Sequence, residues 1–153
     1  MNTTPETFSA AFAALYAAHQ VGDMWIQRDR DAQAKGRPGW IGRVACAHHV
    51  GTLTLTKLTA VLAAFTVTGL PIRPAWWTLA LGLDATSHYW ADRRTTLRWL
   101  ADHTGKGPFF RFGAPREGRD DNPSLGTGAL HLDQAFHVGW LFIAALIISA
   151  GAR

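Results

Sequence analysis

The sequence is short of cysteine, short of charge, and has no basic leader. Its single cysteine, Cys46, excludes an internal disulfide framework and a cysteine-built zinc cluster. Charged residues make up 17% of the chain against 48% hydrophobic, with seven Trp and eight Phe. That balance excludes a disordered chain, which carries many charges and few aromatics. No Lys or Arg precedes the first apolar run, so a cleaved secretory leader is not expected and the first helix should be retained. No internal repeat is visible. The length, 153 residues, is that of one domain.

The mean hydropathy is zero, as in an ordinary soluble protein. The average hides two populations. Four apolar stretches, Thr7–Trp25, Val44–Leu70, Ala75–Asp92 and Ala129–Ala150, contain only Asp23, Lys57, Asp84, Asp92 and Asp133 among their charged residues. Each is about the length that crosses a hydrocarbon core of about 30 Å as a helix. The run VGWLFIAALIISA, residues 138–150, is apolar on every side, which fits a membrane span or the core of a large protein. The chain is too small to hide several such helices. The expected fold is all-α: a four-transmembrane-helix antiparallel bundle in a single polytopic domain, with helices at about 7–25, 44–70, 75–100 and 129–150. A soluble four-helix bundle is the competing reading.

Orientation follows from the linkers. Linkers 26–43 and 93–128 carry twelve of the 15 basic residues. The positive-inside rule puts both in the cytoplasm and both termini outside. The basic balance is then topological, and no nucleic-acid partner is expected. The second linker turns Gly/Pro-rich over 104–128, and its Phe109, Phe110 and Phe112 suggest a segment folded back on the membrane surface or the bundle. Trp25, Trp40, Trp76, Trp77, Trp90 and Trp99 lie near span ends, as an interfacial belt would.

Polar residues inside the spans are few and patterned. His19 and Asp23, His88 and Asp92, and Asp133 and His137 are pairs four apart, and His48 and His49 open the second stretch. Residues at i and i+4 share a helix face. In an up-down bundle all four sets fall at one depth, near the cytoplasmic side. Ionisable groups in spans are costly and face the bundle interior, which makes them functional candidates. The eight residues His19, Asp23, His48, His49, His88, Asp92, Asp133 and His137 have the composition of a metal site for one or two ions such as Zn, Fe or Mn. Adjacent histidines are about 100° apart around a helix, so one of His48 and His49 turns inward more directly. A proton relay or plain hydrogen bonding across helices would use the same residues.

Lys57 and Asp84 lie deeper and suit an intramembrane ion pair. Thr52, Thr56 and Thr59 form a stripe that either lines a polar cavity or packs. Cys46 is read as packing, and His103 and His131 as solvated.

The runs HQVGDMWIQRDRDAQAK, AHHV, SHYWADRR and LDQAFHVGWL, in this order and spacing, resemble a family of small bacterial multi-span membrane proteins that share a domain of unknown function. The similarity covers about residues 15–145. It implies the bacterial inner membrane, a multi-pass fold and the His/Asp motif residues, and brings no reaction with it. A looser similarity joins the chain to membrane-bound metal-dependent hydrolases. On this reading Asp23 or Asp92 acts as general base, Arg28, Arg93 and Arg94 hold a substrate phosphate, and the substrate is amphiphilic or lipid-linked. The alternatives are an ion or metal conduit, alone or as a homo-oligomer, and a scaffold with a structural polar site.

Overall fold

The computed structural model describes residues 4–115 and 127–152. It is all-helical, and no strand occurs among the described residues. Four long helices carry the architecture: α1 (Thr4–Val21), α3 (Gly39–Thr68), α4 (Pro74–Asp92) and α7 (Gly128–Ala150). Three short ones, α2 (Asp29–Ala34), α5 (Thr95–His103) and α6 (Gly107–Phe110), sit in the linkers. Helix α1 packs on α3 and α7, and α4 packs on the same two, which closes a ring of four.

The sequence punctuates these helices locally. Gly69 ends α3 in the left-handed region (φ 68°), where its N–H caps the Phe65 carbonyl, a conformation glycine adopts without a Cβ clash. Pro74 then opens α4 at its first turn, where a missing N–H costs nothing. At the other end of α4 the sequence expectation needs correcting. The helix drawn as about 75–100 breaks at Arg93–Arg94, and Arg94 takes φ 58°. The linker 26–43 is also more ordered than read: it contains α2 and the first turn of α3.

The ring has a dry end and a polar end. The dry end is closed by residues such as Leu15, Phe65, Trp77 and Leu141, all 4% exposed or less. Trp77 stacks edge-on against Phe65 at 4.9 Å, so it belongs to the core and not to an interfacial belt. Trp25, Trp40 and Trp99 do face outward. Between the two ends lies the Lys57–Asp84 pair, 2.7 Å apart and buried on both sides. The hydroxyls of the threonine stripe are taken up within α3: Thr52, Thr56 and Thr59 donate to the carbonyls of His49, Thr52 and Leu55 on their own helix.

Two helices, α3 and α7, are long and apolar enough to cross a membrane. Helices α1 and α4 have span length but are diluted by alanine, threonine and the site's own polar residues. The outer faces are apolar all the same: Leu55 and Leu62 on α3, Leu79 and Leu83 on α4, and Phe142, Ile143 and Leu146 on α7 are exposed.

Candidate metal centre

The polar end is built from one contribution per long helix. Helix α1 does not stop at Val21. It widens into a π-turn, Gly22–Ile26, closed by the Gln27 N–H to the Gly22 carbonyl at 3.0 Å. Such turns recur at functional sites because they re-aim side chains. Gly22 lies flush against Leu53 of α3, where a Cβ would collide with the leucine side chain. The close approach brings Asp23 to His49: its Oδ1 is 3.1 Å from His49 Nε2. His49 Nε2 is also 3.2 Å from His88 Nε2 and 3.2 Å from Asp92 Oδ2. His88 Nε2 lies 3.3 Å from the same Asp92 oxygen, and His137 Nε2 lies 3.9 Å from its Oδ1. The His88 and His137 rings stack at 3.7 Å, and His19 lies 5.5 and 5.4 Å from them, ring centre to ring centre.

Two groups could each hold a metal ion: Asp23, His49 and His88, and His88, Asp92 and His137. All the histidines in them are buried. Each carboxylate has one oxygen held from outside and one turned inward. Gln134 donates to Asp23 Oδ2 at 3.0 Å, and Lys35 Nζ sits 2.9 Å from Asp92 Oδ1. The inward oxygens, Asp23 Oδ1 and Asp92 Oδ2, are buried with no hydrogen-bond partner, and so is His137 Nε2. Buried polar atoms are normally paired. In each group the donor atoms lie within 4.8 Å of one another, and the three that lack a hydrogen-bond partner are aimed at the same place, as in a metal-ligand set. Oxygen and imidazole together suit a divalent ion of the Zn, Fe or Mn kind.

The remaining expected residues divide. His19 is buried at the edge, 4.0 Å from Asp23 Oδ2 and 3.3 Å from Gln134 Oε1, so it supports Asp23 and lies outside both groups. Asp133 sits on the rim, partly exposed, 3.4 Å from His137. His48 is not part of the cluster. It points to the outside of α3 and pairs through Nδ1 with Asp31 Oδ2 at 2.8 Å, because α2 docks there and supplies the carboxylate. Cys46 stays out as well, its thiol against the Tyr89 carbonyl.

The arginines expected to hold phosphate are mostly engaged. Arg28 binds Asp31 at 2.8 Å. Burial alone would raise the Asp31 carboxyl, but the hydrogen bonds from Arg28 and His48 outweigh it and hold it below the ordinary carboxylate range. Arg93 donates to the carbonyls of Lys35 and Arg37, both at 2.6 Å, and so clips the first linker to the end of α4. Arg94 makes one such bond, to the Ala32 carbonyl.

Gln134 and Lys35, which position the two carboxylates, went unassigned at the sequence level. A neutral amide carries no ionisable signal, and a lysine in a basic linker reads as topology. Their sequence cue was membership of the motif runs: Gln134 stands in LDQAFHVGWL, and Lys35 closes HQVGDMWIQRDRDAQAK.

Beside the cluster lies a cavity of about 400 Å³. Asp23, Asp92, Asp133 and Gln134 line it from the cluster, and Lys35 and Arg94 also face it. Part of the Gly/Pro-rich linker, residues 116–126, falls outside the described residues. No protein-family model, curated protein or solved structure matches this chain.

Proposed function

We propose that the chain is a four-span integral membrane protein of the bacterial inner membrane, and that its His/Asp cluster binds one divalent metal ion and serves a hydrolase. The observation that carries the metal reading is the pair of buried, unpartnered carboxylate oxygens facing three imidazoles. One ion is favoured over two. Both candidate groups use His88, and a neutral imidazole offers a single lone pair at Nε2.

The membrane reading is supported by the outer faces. A helix of a soluble bundle turns a polar face to water. Here Val67 is 86% exposed and Leu55 63%. Helix α1 with its π-turn and helix α7 each have 23 residues, roughly 34 Å at 1.5 Å per residue, enough to span. The basic linkers then face the cytoplasm and the termini the outside. The family resemblance in the motif residues points the same way.

A divalent ion in such a site supplies Lewis acidity and a nucleophile from water near neutral pH. The chain's own residues divide the rest of the work. His49, His88 and His137 with Asp23 and Asp92 hold the ion. Gln134 and Lys35 hold the carboxylates in register. Asp133, on the rim and facing the cavity, is better placed to accept a proton than the two ligand carboxylates. The cavity's apolar lining, including Leu97, Phe110 and Leu130, suits the tail of an amphiphilic substrate. A conduit would need a polar path through the dry end, where Leu15, Phe65, Trp77 and Leu141 close the ring.

The test is the metal content of detergent-purified protein. The expected result is about one transition-metal ion per chain, lost on chelation and restored on addition. Protein that carries no such metal and takes none up defeats the reading.

A further inference from the structure

The cavity beside the cluster has a charge balance that a bound ion would reverse. Its ionisable lining consists of three carboxylates, Asp23, Asp92 and Asp133, and two cations, Lys35 and Arg94. The lining by itself is thus acidic by one charge, and a divalent ion would make it basic by one. The lining also contains a spare donor. Gln27 is among the residues that line this cavity, and its side-chain nitrogen is buried without a hydrogen-bond partner. A buried donor left unpaired is costly, and it marks a place where an acceptor belongs. Arg94 has five N–H donors and uses one of them among the described residues, on the Ala32 carbonyl. Its backbone is held at φ 58°, an uncommon conformation for a residue with a long side chain. Lys35 is 8% exposed, with its ammonium at the inner wall against Asp92. The volume, about 400 Å³, lies within the range of small-molecule sites.

We propose that this cavity binds a phosphate-type anion through Gln27, Lys35 and Arg94, and that it does so only when the cluster holds its divalent ion. The assignment rests on the metal reading above and adds the class of headgroup and the order of binding. Metal comes first because three carboxylates repel an anion until the ion offsets them. Arg94 and Gln27 then supply directed N–H donors, and Lys35 a point charge. The apolar wall formed by Met24, Leu97, Phe110 and Leu130 distinguishes a phosphate carried on an acyl chain from a free one.

The experiment is calorimetric titration of detergent-purified protein, once stripped by chelator and once reloaded with a single equivalent of Zn2+. The titrants are inorganic phosphate, dihexanoyl phosphatidic acid and, as the uncharged control, dihexanoylglycerol. The reloaded protein is expected to bind one or both phosphates, and the stripped protein to bind them at least about tenfold more weakly. Preference for phosphatidic acid assigns the headgroup to a lipid; equal binding assigns it to a water-soluble phosphate. Gln27→Ala and Arg94→Gln should each weaken binding about tenfold while zinc stoichiometry stays unchanged. Equal binding by stripped and reloaded protein overturns the proposal, as does unchanged affinity in a variant combining Gln27→Ala and Arg94→Gln, or binding of dihexanoylglycerol as tight as phosphatidic acid. Zinc uptake with no phosphate binding sinks the anion site alone; failure to take up zinc sinks the metal reading and this one together.

Discussion

His48 and His49 are neighbours in sequence and opposites in role. Three to four residues per turn place them on different sides of α3, and only His49 reaches the cluster. His49 shares the buried face of α3 with Leu53, Lys57 and Val61, and Asp31 of α2 gives the outer His48 a partner. The contrast is measurable. His88→Ala, which removes the residue common to both candidate groups, should abolish metal binding, and His48→Ala should leave metal stoichiometry intact. The spacing of the other site residues was legible for a simple reason: i and i+4 on a helix share a face whatever the rest of the fold does. Lys57 and Asp84 make a second case. They meet at 2.7 Å with no exposed surface to speak of. Lys57→Met strands the aspartate in a dry interior and should cost roughly 3–5 kcal/mol, whereas Lys57→Met with Asp84→Leu should recover most of that. Unfolding in detergent, followed by circular dichroism, decides between them.

At the scale of elements, the linkers proved harder to read than the long helices. A composition of Gly, Pro and Arg gave loops and topology, and the helix expected to about residue 100 already covered most of α5, but α2 and α6 hold together through contacts no local pattern announces. Helix α2 is fixed by Arg93 and Arg94 reaching back from the end of α4, and by the Arg28–Asp31–His48 contacts. Because Asp31 is held below the ordinary carboxylate range, its contribution is full above about pH 4 and fades as the pH falls through the lowered folded value. Asp31→Asn should flatten that acid limb of the stability–pH curve and free His48. Helix α6 is seated by Gly128, where a Cβ would strike the Phe109 carbonyl, a backbone atom that cannot swing aside. Gly128→Ala should therefore destabilise by about 1–3 kcal/mol, while Gly82→Ala, with open space around it, should not. Parallel thermal melts of the two variants read the difference.

For the molecule as a whole, the zero mean hydropathy concealed the division that matters. Counting charges by segment exposed four span-length stretches, but it overstated how apolar α1 and α4 are, because their inner faces carry the site. The membrane reading makes a direct prediction. The protein should remain in the membrane fraction after alkaline carbonate washing. In a Cys46→Ser background, a cysteine placed at Gln33 in the first linker should react with an impermeant thiol reagent only in inverted vesicles. Labelling of that site in right-side-out vesicles would reverse the orientation.

The order of the helices along the chain sets a timetable for biogenesis. Lys57 leaves the ribosome well before Asp84, so a nascent α3 must wait with an unneutralised ammonium until α4 arrives. His137 comes last, on α7, and it completes the cage around Asp92. On the proposed function, metal capture through all four helices is thereby reserved for the finished product. A half-made chain offers the cell only fragments of the site, and on that reading the ion would act as a seal on correct assembly.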